Sequence, residues 1–97
     1  MSIEGSKSPA TNTVIKVLTD YGIHVIVAAG NFVSDACDFS SSFAPIAITV
    51  GATEDNADAV TDFLDIGNCV NIFASGRNVK SAGISSITST SIYTGTS

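Results

Sequence analysis

Ile23-His24-Val25-Ile26-Val27-Ala28-Ala29-Gly30-Asn31 is the stretch on which the fold turns. A run that is β-branched and almost wholly apolar, broken only by His24, leads into a Gly-Asn pair. A strand with one face in water alternates polar and apolar residues, whereas a strand covered on both faces of a parallel sheet does not. The run therefore predicts a buried parallel strand over 23–29 that closes in a turn at Gly30-Asn31. Just before it, Ser8-Pro9 has the form of a helix start, an N-cap serine followed by proline at the first helical position. Ala10, Val14, Val17, Leu18 and Tyr21 then recur at helical spacing, and Gly22 stands where helices commonly stop. Helix over 9–21, glycine turn and buried strand make the second half of a βαβ unit, with Ser2-Ile3 placed where the first strand would end.

The same reading extends toward the C-terminus. Pro45 precedes the apolar run Ile46-Ala47-Ile48-Thr49-Val50, closed by Gly51, which predicts a second buried strand over 46–50. Cys69-Val70-Asn71-Ile72-Phe73 predicts a third over 69–73. Between them, Glu54, Asp55, Asp58, Asp62 and Asp65 mark an acidic stretch that reads as exposed. From Ser81 onward the chain is dense in Ser, Thr and Gly, punctuated by Ile84, Ile87 and Ile92-Tyr93, as in short strands or a hairpin. The expected class is α/β: a mostly parallel sheet with at least one flanking helix, in one unit spanning 1–97, with no internal repeat and no linker.

Composition narrows the function classes. Of 97 residues 44% are apolar and only 13% charged, more apolar than a small domain needs to cover its own surface, which suggests a piece of a larger body or a chain with a buried face. A net charge of −5 opposes nucleic acid and anionic membrane surfaces as partners. No apolar run approaches the roughly 20 residues that span a bilayer, and the first residues do not read as a signal peptide. Cys37 and Cys69 form no CxxC pair, so structural zinc is not expected. Two buried thiols and one disulfide both remain open on the residues alone.

Four motifs occur in order: Val25-Ile26-Val27-Ala28-Ala29-Gly30-Asn31; Ala44-Pro45-Ile46-Ala47-Ile48-Thr49-Val50-Gly51-Ala52; Gly67-Asn68-Cys69-Val70-Asn71-Ile72-Phe73-Ala74-Ser75-Gly76; and Gly95-Thr96-Ser97. Together they resemble the middle-to-late part of the subtilisin-like serine proteases, in the proteinase K-like branch, over Ser2 to Ser97. The resemblance implies a partial subtilisin-like fold within a single catalytic domain, and a family reaction of peptide-bond hydrolysis through an acyl-enzyme. It puts Ser97 at the nucleophile and Asn31 at the oxyanion-hole amide. Ser2, Ile3, Glu4 and Gly5 fall on one substrate-lining segment, and Ala28, Ala29 and Gly30 on the other wall of the primary specificity pocket. Cys37 and Cys69 match a pair that some members join as a disulfide. A peptide or protein substrate, preferably apolar or aromatic before the cut, and a secreted or vacuolar setting are likewise implied.

The chain also departs from the pattern. The family's catalytic Asp and His precede the oxyanion asparagine, and the only histidine here, His24, sits within the predicted strand, so the chain alone is expected to be inactive. Glu4 replaces a glycine on the substrate segment, Ser75 replaces a proline, and Leu64-Asp65-Ile66-Gly67 replaces S-N-Y-G. Asn71 replaces an aspartate that binds calcium in some members together with backbone oxygens matching Pro45 and Ala47; no metal or cofactor is expected here. The alternative is a non-catalytic binding or decoy module derived from such a protease. A small α/β domain binding an anion at Gly30-Asn31 is a weaker third reading, with no phosphate-loop motif behind it.

Overall fold

The structure, a computed structural model, describes residues 1–55 and 59–97. One α-helix, α1 (Pro9–Asp20), is followed by strands β1 (Ile26–Ala28), β2 (Ile48–Thr53), β3 (Ile72–Ser75), β4 (Val79–Ala82) and β5 (Thr90–Tyr93), with a short 3₁₀ turn at Ala36–Asp38. The helix forms as its end signals dictate. Ser8 Oγ accepts the Thr11 N–H at 3.3 Å, and Pro9 takes the first turn, where no donor is needed. At the other end Gly22, at φ +81°, lets its own N–H reach Thr19 O and the Ile23 N–H reach Leu18 O, a paired closure of the last carbonyls.

β1, β2 and β3 make a parallel sheet in that order, with Ile26 opposite Ile48 and Val50 opposite Ile72. β4 and β5 form a separate antiparallel hairpin, Val79 opposite Tyr93. The three parallel strands are thus where the sequence puts them, but each begins two or three residues later than expected: 26–28, 48–53 and 72–75 in place of 23–29, 46–50 and 69–73. The open edge of β1 is paired by Met1, whose amine donates to Ile26 O and whose carbonyl accepts the Ala28 N–H, rather than by Ser2-Ile3.

The expectation of a sheet covered on both faces is corrected. Val27 and Thr49 point to the face where α1 packs, and Ile15, Val25, Val27, Ala44 and Ala47 form a core with Leu18 against it. Ile26, Ile48 and Ile72, on the opposite face, remain 53%, 40% and 55% exposed. One helix among the described residues shields one face; covering both takes helices on both sides. The helix is corrected too: Ile15 and Leu18 face the sheet, while Val14, Val17 and Tyr21 of the predicted apolar stripe are exposed. His24 is exposed, ahead of β1 rather than inside it. A second core of Ala29, Ala36, Ala52 and Leu64, with Phe63, Cys69 and Val70, sits at the C-terminal ends of the parallel strands. Cys37 and Cys69 are joined there as a disulfide, Cα–Cα 5.4 Å.

Candidate active site

In open parallel sheets the groups that act on ligands collect beyond the carboxyl ends of the strands. Asn31 lies three residues past β1, and Gly76, just past β3, receives the Gly95 N–H at 2.8 Å, which brings the tail from 94 to 97 over the same end. Two further bonds lock the tail to the Gly-Asn turn. Gly30 N–H donates to Thr96 Oγ1 at 3.2 Å, and Thr96 N–H donates to Asn31 Oδ1 at 3.0 Å. The second bond decides which way the Asn31 amide points, since its oxygen is taken as an acceptor and its nitrogen is left as a donor. Asn31 and Ser97, both exposed, border one cleft of about 270 Å³ with Ser2, Ile3, Glu4, Ala28 and Gly30.

Of the predicted substrate residues, two lie away from this cleft. Ala29 is wholly buried in the second core, its N–H bonded to Val50 O, because the residue after β1 is still drawn into the ladder. Gly5 turns outward and gives its carbonyl to the Ser40 N–H. Gly30, at φ +118°, is irreplaceable on steric grounds: a Cβ there would collide with Asp65 Oδ2 and lie 2.5 Å from Glu4 Oε1.

That crowding exposes a residue the motifs did not single out. Asp65, expected on an exposed acidic stretch, is completely buried. Its Oδ1 accepts the N–H groups of Phe32 and Ser34, both at 2.8 Å, and the Ser34 hydroxyl at 3.1 Å, so it props the loop that follows Asn31. Its N–H returns to Gly30 O at 3.2 Å. Of the other four acids, Asp55 and Asp62 are exposed, Glu54 is half-buried beneath Arg77, and Asp58 lies outside the described residues. The only sequence signal for Asp65 was its substitution into a motif position where the resembled family has an uncharged residue.

Glu4 faces Asp65. Burial, then the hydrogen bond and charge of Asp65, push its carboxyl up from 4.5 to about 6, against the pull of the Asn31 backbone N–H. No third charge among the described residues completes a metal cluster at this or any other place. At the position of the family's calcium aspartate, Asn71 Oδ1 accepts the Thr49 N–H at 2.8 Å. That neutral oxygen brings no charge to the position, where the aspartate would bring one.

A general base for Ser97 would have to lie within hydrogen-bond reach of it. His24 precedes β1 while Asn31 follows it, so the two stand at opposite ends of that strand.

Comparison with known proteins agrees over the whole chain. It is 44% identical to "Subtilisin-like serine protease Rho m 2.0101" of Rhodotorula mucilaginosa, 43% to "Cerevisin" of Saccharomyces cerevisiae and 40% to the "Extracellular serine proteinase" of a Thermus species, each over 97 residues. These matches span 28%, 15% and 23% of the three relatives, so the chain corresponds to less than a third of each. Among solved structures, a cold-adapted subtilisin-like serine proteinase superposes with a TM-score of 0.89 at 33% identity, over 99% of this chain and 34% of the other. No family model matches the chain.

Proposed function

We propose that this chain, homologous over its whole length to a segment of the subtilisin-like serine proteases and carrying part of their fold, is the nucleophile-and-oxyanion portion of one endopeptidase catalytic domain. In this reading Ser97 Oγ attacks a peptide carbonyl, and the Asn31 amide nitrogen donates to the oxygen as it becomes negative. The carrying observation is the Thr96 N–H to Asn31 Oδ1 bond, which turns the amide's donor end free beside Ser97. Ser2, Ile3 and Glu4 on one side and Ala28 and Gly30 on the other border the peptide's place. The proton on Ser97 needs an acceptor that His24 does not supply, so residues 1–97 by themselves are proposed to bind and not to cleave.

Two further parts of the reading follow. Calcium is proposed to bind weakly or not at all at Asn71, whose amide oxygen supplies no charge and already accepts the Thr49 N–H. The Cys37–Cys69 disulfide supports an oxidising setting, extracellular or vacuolar.

The test has two arms. The chain alone should leave a peptide anilide intact, and cleavage by it that disappears in Ser97→Ala would refute the need for an outside base. Residues 1–97 transplanted in place of the homologous segment of a related protease should support cleavage. There Ser97→Ala should abolish it, and Asn31→Ala should cut kcat by about 10²–10³ with little change in KM. An unaffected Asn31→Ala chimera would remove Asn31 from the oxyanion role.

The open face of Ile26, Ile48 and Ile72 favours a second reading, a non-catalytic module that docks on another chain. It predicts a stoichiometric complex that Ser97→Ala leaves intact.

A further inference from the structure

Glu4 Oε1 and Asp65 Oδ2 are buried oxygens to which no other described residue donates a hydrogen bond. Both press on the space a Gly30 Cβ would fill, so they meet across that glycine. Asp65 is completely buried, and its Oδ1 is held by three donors of the 32–34 loop, which leaves Oδ2 to Glu4. Two carboxylates brought this close repel each other, whereas one proton between them makes a hydrogen bond that satisfies both oxygens. Burial and the nearness of Asp65 accordingly push the Glu4 carboxyl up to about 6.

The other titratable groups on the elements around the pair are engaged elsewhere. The Met1 amine donates to Ile26 O, Lys7 is paired with Asp38 at 3.4 Å, and Asp35 Oδ1 accepts the Cys37 N–H at 2.9 Å. Among the residues bordering the Ser97 cleft, Glu4 has the one titratable side chain. The pair also joins two separate parts of the chain. Glu4 belongs to the 1–5 segment, which forms no strand and gives its Met1, Ile3 and Gly5 carbonyls to the Ala28 N–H, the Ser41 hydroxyl and the Ser40 N–H. Asp65 lies under the loop that carries Asn31 onward.

Resting on the protease reading for the role of the cleft, we infer that a proton shared by Glu4 and Asp65 latches the 1–5 segment against the Gly30-Asn31 turn, so that the Ser97 cleft keeps its peptide-holding shape in acid and loosens as that proton leaves. Both acids are positioning residues and act by holding the segment. The closed form binds the proton more tightly than the open form. Closure is therefore complete below pH 4.5 and is lost as pH rises through about 6.

Amide hydrogen exchange in the 97-residue chain, followed residue by residue by NMR and corrected for intrinsic rates, tests the latch. The Ala28 and Ser40 amides report the segment, because they bond to Met1 O and Gly5 O; the Ala29 and Ile48 amides, bonded to Val50 O and Val25 O, report the sheet. Between about pH 5 and about pH 8, protection at Ala28 and Ser40 should fall about tenfold more than at Ala29 and Ile48. The selective fall should vanish in Glu4→Gln, whose amide donates to Asp65 without a titrating proton, and in Asp65→Asn, whose amide nitrogen takes the place of Oδ2 and donates to Glu4. An equal fall at all four amides of the parent, or a selective fall that survives in either variant, would overturn the inference. The transplanted chimera reads the cleft itself. Its KM for a peptide anilide, divided by that of the Glu4→Gln chimera, should rise about threefold over the same pH range, with the kcat ratio flat. A flat KM ratio in a chimera that cleaves sinks this inference and leaves the protease reading standing. Selective exchange at Ala28 and Ser40, beside a chimera that never cleaves, keeps the latch and overturns that reading.

Discussion

Asp65 Oδ1 gathers three hydrogen bonds from Phe32 and Ser34, in the loop that begins one position after Asn31. A buried acceptor bonded to backbone donors is costly to delete, because each donor is left without water or partner. Asp65→Ala should therefore lower unfolding free energy by about 3 kcal/mol, while Asp65→Asn, which retains an oxygen acceptor, should lose distinctly less. Urea denaturation of the three proteins checks the order. Glu4 behaves oppositely to most paired carboxylates. Its carboxyl is pushed up to about 6, above the ordinary 4.5, so the folded chain holds that proton more tightly than the unfolded chain does. The associated stability is full below pH 4.5 and is lost as pH rises through about 6. Glu4→Gln cannot titrate, so its stability relative to the parent should climb between about pH 4 and about pH 7. A difference in urea midpoints that stays flat across that range would show Glu4 to be unperturbed. The motifs mark Asp65 only as a charged residue where the resembled family has an uncharged one, and beside Glu54, Asp55, Asp58 and Asp62 it reads as one more exposed acid. Its burial comes from the fold bringing residue 65 under residues 30–34, a contact between distant parts of the chain.

At the scale of elements, the helix was readable and the strand limits were not. Helix ends depend on neighbours in sequence: Ser8 caps Thr11 and Gly22 closes onto Thr19. Ser8→Ala should cost about 1 kcal/mol through the lost cap, visible as a lower thermal midpoint with unchanged far-ultraviolet signal at low temperature. Strand ends depend on partners. β2 runs on to Thr53 because Thr53 pairs with Ser75, and β3 starts at Ile72 because that residue meets Val50. The apolar runs announced three parallel strands and their order of appearance, but no local signal in Ile46 or Cys69 says that the ladder starts two or three residues later. The helix's buried side escaped sequence reading for the same reason. Val14, Val17 and Tyr21 share a helical face as well as Ile15 and Leu18 do, and only the placement of β1 selects between them.

For the whole molecule, surface area carries the information. The chain exposes 6213 Å², where a compact monomer of its 9.9 kDa would expose about 5,200 Å². The excess is apolar in character, with Ile26, Ile48 and Ile72 on the open sheet face and Ile84 and Ile87 between β4 and β5 fully exposed. This matches the composition's surplus of apolar residues and the fraction of each relative that the chain spans. With so little core, a covalent link matters. The Cys37–Cys69 bridge closes a separation of 32 residues, for which chain entropy gives a stabilisation of about 3–4 kcal/mol. Reduction should lower the urea midpoint accordingly, and a Cys37→Ser/Cys69→Ser variant should match the reduced parent. A midpoint indifferent to reduction would leave the fold resting on its two small cores.

The sequence by itself determined the class, the helix with its caps, the three parallel strands and the family likeness carried by Gly30-Asn31 and Gly95-Thr96-Ser97. Those features are written in periodicity, capping and short motifs, all of which act over a few neighbouring residues. Tertiary structure alone decided which sheet face is left open, which way the Asn31 amide points, and that Asp65 is buried against Glu4 across Gly30. Each of these follows from residues tens of positions apart being packed together, where burial changes what a carboxylate or an amide can do.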